Sequence, residues 1–236
     1  MDNSLAPLLE EASLPFRRAG RAAWHYARGK FRYDPVYFAL LRGGVLPDSG
    51  TLIDLGCGQG ILLALLAAAK ERYARGEWPP GWPAPPVRLT LRGYDLRDRP
   101  IRAGSVALDG KAALECRDIR ELQLPPADAI VILDVLYQLP YDEQERVLSA
   151  AAGALRPGGS LVMRESNAGG GLAFRLQRCS EYLAQAWHGR LAPRLWYRDA
   201  RQWHGLLEGL GLAVSTQPMN GDTPFANILF VARRRT

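Results

Sequence analysis

The stretch Thr51-Leu52-Ile53-Asp54-Leu55-Gly56-Cys57-Gly58-Gln59-Gly60 decides the fold of this 236-residue chain. An apolar run typical of a buried strand leads into glycines at alternate positions, and a second apolar run follows over 61–69. The glycines predict a tight turn in which the backbone can approach a ligand closely, and the second run predicts a helix. Because the free N–H groups of a helix start favour electron-rich atoms, the stretch predicts a nucleotide cradle.

Strands and helices alternate along the rest of the chain, which predicts an α/β fold with a doubly wound parallel sheet. A continuous apolar run over 129–134 is typical of a central parallel strand covered on both faces. Further strands are predicted over 87–94, 114–118, 160–165, 212–216 and 227–232, and helices over 60–74, 102–114, 142–155 and 199–210.

The sequence divides into an N-terminal segment and one larger domain. Residues 1–48 are amphipathic and rich in aromatic side chains, and they predict a helical extension that covers the open end of the sheet. Residues 49–236 are interpreted as a single domain. Within it, 76–86 is a proline-rich inserted loop, since prolines exclude helix and central strand, and 167–195 is a mostly helical cap insertion.

Composition restricts the class of protein. The hydrophobic content of 47% suffices for one substantial core, and the net charge of +6 comes from scattered arginines, which does not favour nucleic acid as the partner. The cysteines Cys57, Cys116 and Cys179 lack the spacing of a disulfide framework or a zinc site, so we expect reduced thiols, no metal and a cytoplasmic location. We expect no secretory signal and no membrane span.

Acidic residues follow successive strands of the predicted sheet. Asp95, Asp118 and Asp134 come at the ends of the second, third and fourth strands, where ligands of this sheet type bind. A carboxylate at Asp95 can accept hydrogen bonds from both hydroxyls of a ribose. It comes 41 residues after Asp54, about twice the usual ~20, because the 76–86 loop is inserted between them. At this point a dinucleotide and S-adenosyl-L-methionine (SAM) both fit the cradle.

Over 50–165 the chain resembles the class I SAM-dependent methyltransferases. The run 54–60 looks like that family's first motif, with an acid inside the strand, and 134–140 and 155–161 are similar to its motifs around the fourth and fifth strands. Tyr94-Asp95 matches the ribose-binding acid, and Arg117-Asp118-Ile119 matches the adenine-binding turn. The resemblance implies SAM as the cofactor and a Rossmann-like, mostly parallel seven-stranded sheet with an antiparallel last strand.

The resemblance also implies roles for individual residues. Asp54 would orient the methionine amino end of SAM, Asp95 would hold the ribose and Asp118 the adenine amino group. Asp134 would line the pocket beside the sulfonium, and Cys57 is expected to be a small filler and not a nucleophile. The implied cofactor-binding set is Asp54, Gly56, Cys57, Gly58, Gly60, Asp95, Leu96, Asp118, Ile119, Asp134 and Val135.

Methyl transfer from a sulfonium is a direct displacement, so the fold guarantees no catalytic residue. Groups able to move a proton occur after the fourth and fifth strands, in the extension and in the cap. The candidates are Tyr137, Glu165, Asn167, His188 and His25.

The acceptor is inferred from weaker signals. The run 134–137 lacks the Asn/Asp-Pro-Pro-Tyr sequence of methyltransferases that act on base amines or glutamine amides. The aromatic extension and the cap are consistent with a lid over an apolar small molecule or acyl chain, and equally with ordinary packing of amphipathic helices. The runs 32–41 and 223–233 are similar to bacterial methyltransferases of aryl-polyene pigment or polyketide-type lipid synthesis, which favours O- or C-methylation of a phenolic or acyl group. An RNA methyltransferase and a non-catalytic SAM-binding partner protein are the alternatives.

Overall fold

The computed structural model describes residues 6–187, 194–219 and 225–235, with side chains omitted over 180–187. Two short 3₁₀ segments, Leu14–Ala19 and Leu136–Gln138, accompany the longer elements. The helices are α1 (Ala6–Ser13), α2 (Arg21–Tyr33), α3 (Val36–Arg42), α4 (Ile61–Ala74), α5 (Asp98–Leu108), α6 (Tyr141–Ala154), α7 (Gly171–Trp187) and α8 (Ala200–Gly209). The strands are β1 (Ser49–Leu55), β2 (Arg88–Asp95), β3 (Ala113–Cys116), β4 (Ala127–Leu133), β5 (Leu155–Ser166), β6 (Leu212–Pro218) and β7 (Asn227–Arg234).

The strands form one sheet in the order β3-β2-β1-β4-β5-β7-β6. β1 pairs in parallel with β2, and β2 with β3, whereas β7 runs antiparallel to both β5 and β6. The chain winds outward from β1 on one side and resumes at β4 on the other, so β1 lies at the position where the winding reverses. The predicted seven-stranded Rossmann-like sheet with an antiparallel last strand is confirmed.

The described residues fall into two compact units that divide between Val131 and Ile132. In the first unit, α4 is buried on every side over 61–69, which explains why its sequence is continuously apolar. The inner part of β1 is buried as well, from Leu52 to Leu55. Burial of this strand and helix fixes the ends of the turn that joins them.

The N-terminal helices belong to the first unit. The sequence predicts one or two helices over 5–26, and the described residues form two, α1 and α2. Helix α2 begins after Gly20, because this residue adopts a φ of 114° that no helix accommodates, and it continues to Tyr33. Phe16 and Phe31 are fully buried. Glu11 accepts hydrogen bonds from Arg72 of α4 and from Arg75 directly after it, so the extension is attached to the core by charge as well as by apolar packing.

The proline-rich stretch 76–86 contains no helix or strand. The Trp78 indole donates to the Pro83 carbonyl at 2.9 Å and packs edge-on against Trp82 at 6.2 Å between ring centroids. Tyr73, at the end of α4, contacts Trp78 in the same way. These contacts hold the loop against its own helix.

The helix predicted over 102–114 is wrong at both ends, since α5 spans Asp98–Leu108. It begins earlier because a proline, here Pro100, is tolerated in a first turn, where its missing N–H has no partner to lose. It ends earlier because Asp109 and Gly110 both take the left-handed conformation, with φ of 47° and 80°. The residues beyond are then free to form β3.

In the second unit, the fifth strand was predicted over 160–165, but β5 begins earlier and includes 155–159. Helix α6 ends at Ala154, and the Arg234 guanidinium donates to the carbonyls of Gly153 and Leu155, which a helix end leaves unpaired. Pairing with β7 begins only at Ser160, the predicted first residue of the strand.

Helix α7 lies within the predicted cap insertion and is attached through one polar residue. Gln177 is buried, and its amide donates to Ser166 and Asn227 at 2.6 Å each. The candidate His188 lies outside the described residues. Among those described, no helix has the length and apolar content needed to cross a bilayer.

Gly50→Ala should destabilise the fold more than Gly20→Ala, although both glycines have a strongly positive φ. A Cβ at Gly50 would stand 2.1 Å from the Asp128 carboxylate, whereas nothing lies within 4 Å of a Cβ at Gly20. The Asp128 carboxylate also accepts the Thr51 N–H at 2.7 Å, so moving it breaks a bond. Urea unfolding should show an extra loss of about 1–3 kcal/mol for Gly50→Ala. Equal losses would contradict this packing.

Candidate functional site

The turn after β1 depends on three glycines in the left-handed region. Gly56, Gly58 and Gly60 have φ of 77°, 58° and 73°, values that side chains with a Cβ disfavour. A Cβ at Gly60 would also meet Leu108 of α5 at 2.9 Å. The spacing of the glycines in the sequence is therefore required by the path of the backbone.

The turn is bonded to the end of β2. The Tyr94 carbonyl accepts the N–H groups of Gly56 and Cys57, at 2.7 and 3.0 Å, and Gly58 N–H donates to Asp95 Oδ2 at 2.8 Å. Two predicted parts of the cofactor site, the glycine turn and the acid that follows β2, are thus in direct contact.

An arginine that the sequence patterns did not predict also donates to the Asp95 carboxylate. Asp95 Oδ1 accepts Arg97 N–H at 2.9 Å and Arg97 Nε at 3.0 Å, while Arg97 Nη2 reaches Oδ2 at 3.2 Å. The Asp95 side chain is 7% exposed and that of Arg97 60%. Leu96 between them is exposed and lies directly beside this pair.

The same local arrangement recurs after β3. Asp118 Oδ1 accepts Arg120 N–H at 3.0 Å, and the Arg120 guanidinium lies along the carboxylate, which holds the pKa of Asp118 below its usual value. Ile119 between them is half-buried. An Asp-apolar-Arg triplet therefore follows both strands, and this repeat was the sequence signal that could have identified Arg97 and Arg120.

Asp54 is the buried acid of the site. Its side chain has no hydrogen-bond donor among the residues described, and burial, with a smaller contribution from the Asp95 charge, raises its pKa to about 7. Nearly the whole residue is withdrawn from solvent. A carboxylate in this position is suited to a cationic ligand, whose charge favours the ionised form.

Cys57 has the environment of a filler. It is buried, and burial followed by the charges of Asp54 and Asp95 raises the pKa of its thiol. A Cβ at Gly93 would stand 2.8 Å from its sulfur, so the small residue on β2 makes room for it. A thiol held protonated is a poor nucleophile.

Helix α2 reaches the glycine turn. The Gln59 side chain donates to the Ala23 carbonyl at 2.9 Å, and Tyr26 lies within electrostatic range of Arg97. His25 is exposed, and its ring packs against Trp24 at 4.7 Å between centroids. The structure therefore places the α2 backbone at the turn and the His25 side chain on the outer surface of the helix.

In the second unit, Asp134 follows β4 with a φ of 58°, unusual for a residue with a side chain. Its N–H donates to the Arg164 carbonyl at 3.0 Å, and its carboxylate is held by Arg164 Nε at 2.9 Å and by Nη2. The Arg164 side chain is 3% exposed. This ion pair with a buried arginine restrains the residue in its strained conformation.

Glu165 holds the backbone of the same loop. Its Oε1 accepts the N–H groups of Val135 and Leu136, at 3.1 and 2.7 Å, while Oε2 is buried without a partner among the described residues. Burial, and next the Asp134 charge, raises the pKa of Glu165 to about 8. The side chain is therefore largely protonated at neutral pH.

Tyr137 lies in an aromatic cluster of the second unit. Its ring stacks on Tyr197 at 5.4 Å and 6°, and Phe174 of α7 meets Tyr197 edge-on at 4.9 Å. The buried Gln144 amide donates to the carbonyls of Leu136 and Leu139, at 3.0 Å each, so both sides of Tyr137 are fixed. Tyr137 and Phe174 are buried and Tyr197 is half-buried, so the rings form a packed aromatic cluster directly after β4.

Two other polar residues have structural roles. Asn167, a predicted candidate, accepts the N–H groups of Gly169 and Ala200, at 3.0 Å each, which places the start of α8. His204 pairs with Glu208 along α8. Within the described ranges, no group of three or more His, Cys, Asp and Glu side chains is arranged to hold a metal ion.

The strand order, the glycine turn and the acids after β1, β2 and β3 define a Rossmann-like methyltransferase fold. A family model described as a methyltransferase domain matches residues 23–217, and the chain belongs to this family. It is a SAM-dependent methyltransferase. Comparison with curated proteins gives no match.

Solved structures show the same fold at low sequence identity. An O-methyltransferase family protein from Burkholderia thailandensis is 19% identical with a TM-score of 0.65, covering 93% of this chain and 62% of that one. Magnesium protoporphyrin IX methyltransferase from Synechocystis with bound SAH is 17% identical with a TM-score of 0.60, covering 96% and 97%. An O-methyltransferase family 2 protein from Planctomyces limnophilus in complex with apigenin is 19% identical with a TM-score of 0.59, covering 99% and 62%.

The residues present fit SAM. The left-handed glycines leave the turn without side chains, and the donor-free carboxyl of Asp54 suits a cationic amino group. The set of predicted cofactor residues divides between the two units, with Asp54 to Ile119 in the first and Asp134 and Val135 in the second.

Glu165→Gln should change how stability depends on pH. Because the folded pKa of Glu165 is raised from 4.5 to about 8, its contribution to stability is fully present below about 4.5 and is lost as the pH rises through 8. The wild type should therefore lose unfolding free energy relative to Glu165→Gln across this interval, as measured by urea unfolding. Glu145→Gln, at a half-exposed glutamate, is the control. Parallel curves for wild type and Glu165→Gln would contradict the assignment.

Proposed function

We propose that this methyltransferase acts on a small-molecule or lipid-like acceptor, by O- or C-methylation of a phenolic or acyl group. The observation that supports this most is the aromatic cluster after β4 in the second unit, in which the half-buried Tyr197 packs on the buried rings of Tyr137 and Phe174. The O-methyltransferase neighbours from Burkholderia and Planctomyces favour an acceptor of this kind. Three unpaired thiols support a cytoplasmic location.

The cofactor residues are assigned roles as part of this proposal. Asp54 binds the amino group of SAM, Asp95 accepts the ribose hydroxyls and Asp118 accepts the adenine amino group. Leu96 and Ile119 cover the adenosine, because each lies beside its carboxylate and keeps apolar surface exposed or half-exposed. Residues 1–48 then act as the helical extension, and 49–236 as the SAM-binding domain with its 76–86 and 167–195 insertions.

SAM supplies an electrophilic methyl group on a sulfonium, so the chain has to bind SAM, orient the acceptor and exclude water. In the first unit, Asp54 and Asp95 bind the amino group and the ribose of SAM. In the second unit, Arg164 and Glu165 hold the loop 134–136 rigid, and this loop keeps Tyr137 in one orientation. We assign Glu165 a positioning role, because its carboxyl is bonded to the loop and withdrawn from solvent.

Proton removal from the acceptor falls to Tyr137 or to a histidine in this proposal. Tyr137 lies within the aromatic cluster, whereas His25 would have to act from the outer surface of α2. The catalytic assignments of Tyr137, His25 and His188 remain predictions, and the predicted catalytic role of Glu165 is replaced in this proposal by positioning.

Transfer of a labelled methyl group from SAM into an extract of the host identifies the acceptor. The proposal expects label in an organic-soluble, low-molecular-weight product, and none with heat-denatured enzyme. Label in RNA would contradict it and support the RNA alternative. Tight binding of SAM with no labelled product from any extract would favour the non-catalytic alternative.

Asp95→Ala should weaken SAM binding by about 1–3 kcal/mol, because it removes buried hydrogen bonds to the ribose and frees the Gly58 N–H. Isothermal titration calorimetry measures the affinity. Asp142→Ala, at an exposed acid of α6, provides the matched control and should bind as the wild type does. Unchanged affinity in Asp95→Ala would contradict the ribose assignment.

A further inference from the structure

Helix α2 carries three arginines and a histidine in a row along its outer face. Arg21, His25, Arg28 and Arg32 are spaced so that they share one face of the helix, and all four are exposed. The helix contains no acidic residue. At 1.5 Å per residue, the row from Arg21 to Arg32 is roughly 16 Å long.

The charge of this row is not neutralised within the protein. Among the described residues, no carboxylate pairs with Arg21, Arg28 or Arg32. Arg28 lies over the Trp24 ring at 4.8 Å, and Arg32 lies over Tyr33 at 5.6 Å. Aromatic rings therefore orient two of the three guanidinium groups without cancelling their charge.

Two neighbouring cations are neutralised: Arg18 pairs with Asp109 at 3.0 Å, and Lys30 pairs with Asp34 at 3.1 Å. Arg17, which is exposed and lies over the Trp24 ring at 4.1 Å, has no carboxylate partner among the described residues and adds its charge to the row. The unpaired charge lies along the exposed side of a helix and is not spread over a groove.

A second row runs beside the first, with Ala22, Tyr26, Gly29 and Tyr33 at the same spacing. Tyr26 is 54% exposed and Tyr33 70%. The outer face contains no aliphatic side chain larger than alanine, so it is suited to contact with a polar surface and not to insertion into an apolar one. Tyrosine side chains are enriched at the headgroup level of lipid bilayers.

We propose that the outer face of α2 docks on a membrane surface that carries anionic lipids. The headgroups of anionic lipids form a planar, negatively charged surface that a straight row of arginines on a helix can contact along its whole length. Each basic residue near such a surface adds to the attraction. A single-stranded nucleic acid is bound in a basic groove with stacking platforms, and the confined strip of α2 does not provide one. Docking of this kind is reversible and salt-dependent, since it rests on charge without a buried anchor.

Sedimentation with vesicles tests the proposal on the full chain. At low ionic strength the protein should bind mixed phosphatidylcholine–phosphatidylglycerol vesicles about tenfold or more tightly than pure phosphatidylcholine vesicles, and salt should abolish the difference. The variant R21E/R28E/R32E should lose this preference. The control R99E/R201E/R233E reverses three exposed arginines elsewhere and should keep most of it, although its net charge changes equally.

Further variants separate the contributions. R21K/R28K/R32K keeps the charge and should keep the preference, while Tyr33→Ser keeps the charge and should weaken binding several-fold. Circular dichroism checks that each variant is folded. No preference for anionic vesicles, or an equal loss in both charge-reversed variants, would overturn the proposal, as would α2-dependent binding of polyuridylate in its place. Because no cofactor or acceptor is present, failure here leaves the proposed methyl transfer untouched.

Discussion

The hydrogen bond from Gly58 N–H to the Asp95 carboxylate is the constraint on which the cofactor site depends. It joins the turn after β1 to the end of β2. The backbone N–H groups of Gly56 and Cys57 make a second connection between the same two segments, because both donate to the Tyr94 carbonyl. The left-handed glycines make this path possible, and the path in turn places Asp54 beneath the turn, away from solvent. The raised pKa of Asp54 follows from that burial.

In the second unit, side-chain bonds also hold a loop that follows a strand, but the groups are different. An ion pair between Asp134 and the buried Arg164, and the buried carboxyl of Glu165, fix the loop after β4, although Asp134 is strained. A buried cation is costly unless it is paired and hydrogen-bonded, so the presence of Arg164 here indicates that a defined loop conformation is needed after β4. Tyr137 extends from this loop into the aromatic cluster.

Much of this arrangement could be predicted from the sequence, because hydrophobic periodicity determines where strands end and the acids stand at those ends. The partner of each acid could not be predicted in the same way. Arg97 and Arg120 could have been predicted from local sequence, because each belongs to a repeated Asp-apolar-Arg triplet. Glu165 bonds to residues about thirty positions away in the sequence, and no local pattern specifies that contact. The helix over 98–108 was misplaced because Asp109, a residue with a side chain, adopts the left-handed conformation that ends it.

Calorimetric titration of SAM in buffers of different ionisation enthalpy tests the central claim most directly. If Asp54 binds the amino group of SAM, a carboxyl with a pKa of about 7 must ionise on binding. At pH 7, SAM should therefore bind in the micromolar range with release of about half a proton from this group, and Asp54→Asn should abolish that release. Binding of NAD in place of SAM, or SAM binding with identical proton release in Asp54→Asn, would contradict the account.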